Sequence, residues 1–365
     1  MSQKLSKPRM VAEFEPQRDL YMIWPERPDN WRDGAKPAQA AFAELANLLV
    51  GFEPVTMFVS TRQYLNARKR LAHQIRVLEL SSDDVFIKDT GPIYTEIAGQ
   101  LQAVNFDFNA WGGLLDGLYF PWDQDRLIGQ KMAELNRIPY TIDHDLVVEG
   151  CSILTDGEGT LISTEDVLLS EGRNPGRTRL EIEGAFKQIL GIQKVIWLKH
   201  GYFLDETNGA IDNMVNFIRP SEVVLTWTNN SADPMYETVR EAEAILANTT
   251  DAKGRSLKIH YLLMPNIQSI RQQEASGIDP INGLLPRTDG QRLTASYVNF
   301  VTLNHAIIVP QFGDPQDSVA LTKMKQLCPD KEVVPFPARE MILGGGNIHT
   351  IVHTRPNMNG LGARL

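Results

Sequence analysis

The chain is poor in cysteine, in basic residues and in long apolar runs. Cys151 and Cys328 are its only thiols. Two cysteines cannot make a disulfide framework, and neither sits in a CxxC or Cys/His cluster with zinc-site spacing. Lys and Arg number 36 against 45 Asp and Glu, for a net charge of -9. That acidic excess gives no overall attraction for nucleic acid or an anionic membrane. The longest apolar runs, such as residues 305–310, are far too short to cross a bilayer. Residues 1–19 lack the apolar segment of a secretory signal. The expectation is a cytoplasmic protein with no nucleic-acid or membrane partner.

With 42% hydrophobic and 22% charged residues, the composition excludes disorder, collagen and coiled coil. Short β-branched runs alternate with amphipathic stretches. Helical spacing follows Pro37 in the run 38–50 and recurs over 126–137, 178–190, 235–247 and 317–326. Strands are expected at 55–59, near 76–80, and at 102–106, 160–164, 194–198, 222–228, 258–264, 297–303 and 307–312. No Gly/Ser/Pro linker divides the chain, so residues 1–365 read as a single domain. Strands outnumber helices, and helices about every 60 to 70 residues suggest a repeated ββαβ module in an α/β fold.

Four polar, glycine-flanked segments interrupt this pattern: Phe86–Pro92, Val148–Ile153, Asp205–Asn213 and Gly344–Thr350. Each alone reads as a turn or a bend. Together they place carboxylates and amides at strand ends, where functional sites concentrate.

In this order and spacing the four segments resemble those of the agmatine deiminases, in the guanidino-group-modifying pentein superfamily. The likeness extends through residues 22–39, 106–125, 292–300 and 307–317 and so covers nearly the whole chain. It implies a five-bladed, pseudo-symmetric α/β propeller of ββαβ modules around a central site. It also implies hydrolysis of agmatine to N-carbamoylputrescine and ammonia, without metal or organic cofactor, in a homo-oligomer.

That chemistry has three separate requirements. A guanidinium is a planar, delocalised fork of N–H donors, matched by carboxylates. Its central carbon is a poor electrophile, attacked most readily by a thiolate. An imidazole then protonates the departing ammonia and activates water. By resemblance, Asp89, Glu149 and Asp212 supply the carboxylates, and Lys88, Trp111, Cys151, Asn347 and His349 lie near them. Phe86 and Lys88 stand where the family motif has Trp and Arg, and Lys lacks a bidentate fork.

The catalytic pair is substituted. Ala210 occupies the position of the acid/base His in the family's Gly-His-Ile-Asp motif, and Thr350 occupies that of the nucleophilic Cys after Asn-Ile-His. Losses of this kind cost on the order of 10⁴ to 10⁶ in kcat. Cys151 stands on the second Gly of Glu-Gly-Gly-Ser. It reads as a small apolar replacement, with a relocated nucleophile as the alternative, and Leu154 nearby would raise its pKa. His349 is expected to orient its loop, Cys328 to be structural, and His349 with His353 alone not to hold a metal. Three readings follow: an agmatine deiminase family member of impaired turnover, a non-catalytic guanidino-cation binder, or a regulatory partner of an active paralogue.

Overall fold

The computed structural model describes residues 7–281 and 287–358. Its strands form five small sheets, each built on one plan. Ile153–Thr155 runs antiparallel to Thr160–Thr164, which runs parallel to Lys194–Leu198. A parallel pair needs a crossover, here supplied by helix Arg179–Ile189. The same order recurs with Ile128–Asn136 between Gln100–Asp107 and Tyr140–Val147. It recurs again with Met235–Ala247 before Lys258–Leu263, and with Gln316–Leu327 before Glu332–Pro337. The fifth blade joins both ends of the chain. His353–Pro356 lies antiparallel to Gln17–Ile23, and helix Lys36–Leu49 leads on to the parallel strand Val55–Val59. The fold is the expected five-bladed α/β propeller.

Local chemistry explains these elements. Phe42, Leu45 and Leu49 recur at helical spacing and are fully buried, each worth about 1.5–3 kcal/mol of apolar transfer. Helix Arg179–Ile189 starts at a capping box, in which Thr178 and Glu181 satisfy each other's backbone N–H groups. Val223, Val224 and Leu225 have no exposure because helix and neighbouring blade cover both faces of their strand. Among the described residues no helix is long and apolar enough to cross a membrane.

One expected strand shrinks. Of residues 297–303 only Val301–Thr302 pair. Just before them, Ser296 Oγ donates to Asn213 O and Asn299 Nδ2 donates to Asp212, so polar side chains hold this segment in a turn instead of a ladder.

Candidate active site

Each blade is entered through a short turn, and these turns converge. Ile87–Thr90 precedes the strand Ile93–Ile97, Gly150–Ser152 precedes Ile153–Thr155, and Ile211–Asn213 precedes Val215–Arg219. Residues 296–299 precede Val301–Thr302, and 344–350 precede His353–Pro356. The turns pack tightly: a Cβ on Gly150 would lie 1.9 Å from Lys88 O, so only glycine fits there.

Asp89, Glu149 and Asp212 come together, all buried. Asp89 accepts from Trp111 Nε1 at 3.1 Å and from the Cys151 N–H at 2.8 Å. Burial, with the negative charges of Glu149 and Asp212 beside it, raises the Asp89 pKa to about 7. Glu149 Oε1 accepts from Arg173 Nε at 2.7 Å, and Arg173 Nη2 donates to Thr207 O at 2.6 Å. Asp212 Oδ2 accepts from Asn299 Nδ2 at 2.8 Å and faces His349 Nδ1 at 2.9 Å. Among the described residues, Glu149 Oε2 and Asp212 Oδ1 find no hydrogen-bond partner.

His349 does more than orient a loop. Its Nε2 lies 2.7 Å from Glu13 Oε2, so the ring bridges two carboxylates. Burial opposes its charge, but Glu13 and Asp212 outweigh burial and raise its pKa to about 9. Glu13 also pairs with Lys88 Nζ. Burial disfavours the Glu13 carboxylate, yet His349 and Lys88 hold its pKa well below the usual range. Lys88 therefore acts as a point charge on Glu13. His353 lies tilted against the Tyr94 ring and is kept neutral, its pKa lowered to about 3 by burial and by Lys88.

The substituted positions sit at the same place. Among the described residues, Thr350 Oγ1 accepts only a long bond from the Asn347 N–H, 3.3 Å. Asn347 otherwise shapes its own loop, donating to Ser296 O and accepting from the Ile348 N–H. The Ala210 N–H donates to Asp205 Oδ2 at 2.9 Å, a contact that its methyl side chain leaves without any acid/base function. Cys151 is buried, and burial together with Asp212 and Asp89 pushes its thiol pKa well up. Phe86 packs edge-on to Trp111 and stacks with Trp31, filling the motif's Trp position with apolar contact. Above this centre opens a cleft of about 600 Å³, lined by Phe86, Trp111, Thr350, Glu206 and Arg287 among others.

Glu13, Arg173 and Asn299 belong to the site and were not singled out from the sequence. Asn299 had a signal: it is the fourth of five blade-entry residues, after Asp89, Glu149 and Asp212 and before Thr350. Glu13 and Arg173 had none: Glu13 stands between Ala12 and Phe14, Arg173 between Gly172 and Asn174, and neither lies in a recognisable motif.

The sequence profile of the Porphyromonas-type peptidyl-arginine deiminases matches residues 9–356. A protein of Listeria monocytogenes is 55% identical over 350 residues, 96% of this chain and 95% of that one. A Pseudomonas fluorescens protein named agmatine deiminase is 48% identical over 349 residues, 95% of each chain. The solved agmatine deiminase of Enterococcus faecalis superposes with a TM-score of 0.93 at 44% identity, covering 96% of both chains.

Proposed function

The chain belongs to the agmatine deiminase family, and from that premise we propose that it binds the guanidinium end of agmatine or a related guanidino cation while turning it over poorly or not at all. The carrying observation is the pair of buried, unpartnered carboxylate oxygens, Glu149 Oε2 and Asp212 Oδ1. Burying such an acceptor without a donor costs about 1–3 kcal/mol, which a fork of N–H groups would recover. Charge agrees. With Asp89 ionised, four carboxylates (Glu13, Asp89, Glu149, Asp212) face three cations (Lys88, Arg173 and protonated His349), so one monovalent cation balances the ionised form of the site and favours it.

The chemical step lacks its parts. A threonine hydroxyl needs a neighbouring base to attack. Both nitrogens of His349 are engaged by Asp212 and Glu13, and Ala210 offers none. We read the protein as a cytoplasmic homo-oligomer by family likeness. The deciding experiment compares ammonia and N-carbamoylputrescine release from agmatine by the wild type and by Ala210→His/Thr350→Cys. A silent wild type and an active double variant support a grip that has lost only its nucleophile and acid. Robust wild-type turnover sinks this reading and makes Cys151 the alternative nucleophile.

A further inference from the structure

One group of side chains gains a meaning that guanidinium binding does not require. Cys151 Sγ, a carboxylate oxygen of Asp212 and a ring nitrogen of His349 all lie within 4.8 Å of one another, and all three residues are buried. Thiolate, carboxylate and imidazole are the three ligand types of zinc. Tetrahedral coordination at the usual bond lengths spaces ligand atoms about 3.3–3.8 Å apart, so from separations of at most 4.8 Å a closure of at most about 1.5 Å would be needed. Cys151 is what separates this chain from the Glu-Gly-Gly-Ser pattern, where a glycine offers no ligand.

Two further observations point to a cation at this spot. Asp212 Oδ1 is unpartnered although the residue is only 1% exposed, while Oδ2 is already held by Asn299. A buried lone pair of this kind is costly until something positive meets it. The second is the far side of the imidazole. With Nε2 hydrogen-bonded to Glu13 Oε2 at 2.7 Å, the ring is oriented with Nδ1 toward Asp212. A carboxylate behind an imidazole is the usual outer support of a metal-bound histidine.

We propose that Cys151, Asp212 and His349 form a binding site for one zinc-type divalent cation, through Sγ, Oδ1 and Nδ1, with Glu13 and Asn299 orienting the ligands. Three protein ligands leave the fourth tetrahedral position to water. Binding releases two protons to solvent, the thiol proton of Cys151 and the Nδ1 proton of the His349 imidazolium, whose Nε2–H stays on Glu13. Because Asp212 also serves the guanidinium grip, zinc and a guanidino cation exclude each other.

The test uses the full chain stripped with a chelator and titrated with Co²⁺ alone, so it does not depend on whether agmatine binds. The expected result is one equivalent bound, with a thiolate-to-cobalt charge-transfer band and tetrahedral visible bands, all displaced by Zn²⁺. The band should disappear in Cys151→Gly and persist in Cys328→Ser. Glu13→Gln should weaken Zn²⁺ affinity by about 10- to 100-fold. A wild-type spectrum without the thiolate band overturns the proposal, whatever the variants do. So does a band that survives Cys151→Gly or vanishes in Cys328→Ser with the fold intact.

Discussion

Glu13 and His349 lie 336 positions apart, yet Glu13 Oε2 sits 2.7 Å from His349 Nε2, next to Thr350 in the chain. The N-terminal segment thereby closes the centre of the propeller with a charge. Lys88 shares the same carboxylate, so Glu13 pairs with two cations at once.

Removing that carboxylate should change how stability depends on pH. His349 titrates near 9 in the folded chain and near 6.5 unfolded. A pKa raised by folding contributes stability that is fully present below about pH 6.5 and is lost as pH rises through 9. The shift corresponds to about 3 kcal/mol at most. In Glu13→Gln this slope between pH 6.5 and 9 should flatten. The variant should also lose about 2 kcal/mol near pH 6, less than a fully buried pair because Glu13 is a quarter exposed. Urea melts of both proteins from pH 5 to 9.5 read this directly. Parallel curves for the two would mean that Glu13 does not hold the His349 charge.

Agmatine binding should expel a proton. Burial, with the charges of Glu149 and Asp212 added to it, raises the Asp89 pKa to about 7, and a bound guanidinium would favour its ionised form. Below pH 7 affinity should rise about tenfold per pH unit, then level off above it. Calorimetry in buffers of different ionisation enthalpy should find about 0.9 proton released at pH 6 and about 0.1 at pH 8. Asp89→Asn should remove both the release and most of the affinity. Affinity that stays flat from pH 5.5 to 8 would show that Asp89 is not part of the grip.

The repeat explains which parts of this site could be read from sequence. Asp89, Glu149 and Asp212 each sit in a turn marked by glycine or proline, so their motifs survive as short patterns. The crossover helices were visible because Phe42, Leu45 and Leu49, or Met235, Val239 and Leu246, bury one face at helical spacing. Most strands that enter the blades, such as Ile153–Thr155 and Val215–Arg219, were not, because they follow directly on the polar turns. Glu13 and Arg173 act through contacts made only by the closed ring, and no local pattern encodes such a contact.

Restoring one catalytic group should do little. Thr350→Cys would bring a thiol but no imidazole at position 210. Ala210→His would bring a base without a thiol. Groups that act as a unit are strongly non-additive, so each single variant should stay within about tenfold of the wild type while the pair gains about 10³-fold or more. Initial rates of ammonia release at saturating agmatine distinguish this from an additive outcome, in which Thr350→Cys alone would carry most of the gain.

Arg173 and Glu149 form the most deeply buried ion pair of the site, each side chain 1% exposed. Breaking such a pair from one side leaves an uncompensated charge, so Arg173→Met should cost about 3–5 kcal/mol. Arg173→Lys should not rescue it. The guanidinium uses Nε on Glu149 and Nη2 on Thr207 O, two directions that one ammonium cannot serve together. Removing both charges in Arg173→Met/Glu149→Gln should recover much of the loss in stability and none of the agmatine binding, since Glu149 is itself part of the grip. Denaturant melts with agmatine titrations on the three variants separate the two roles. If Arg173→Met unfolds no more easily than the wild type, the pair holds neither the fold nor the carboxylate. If the double variant binds agmatine as tightly as the wild type, Glu149 does not belong to the guanidinium site.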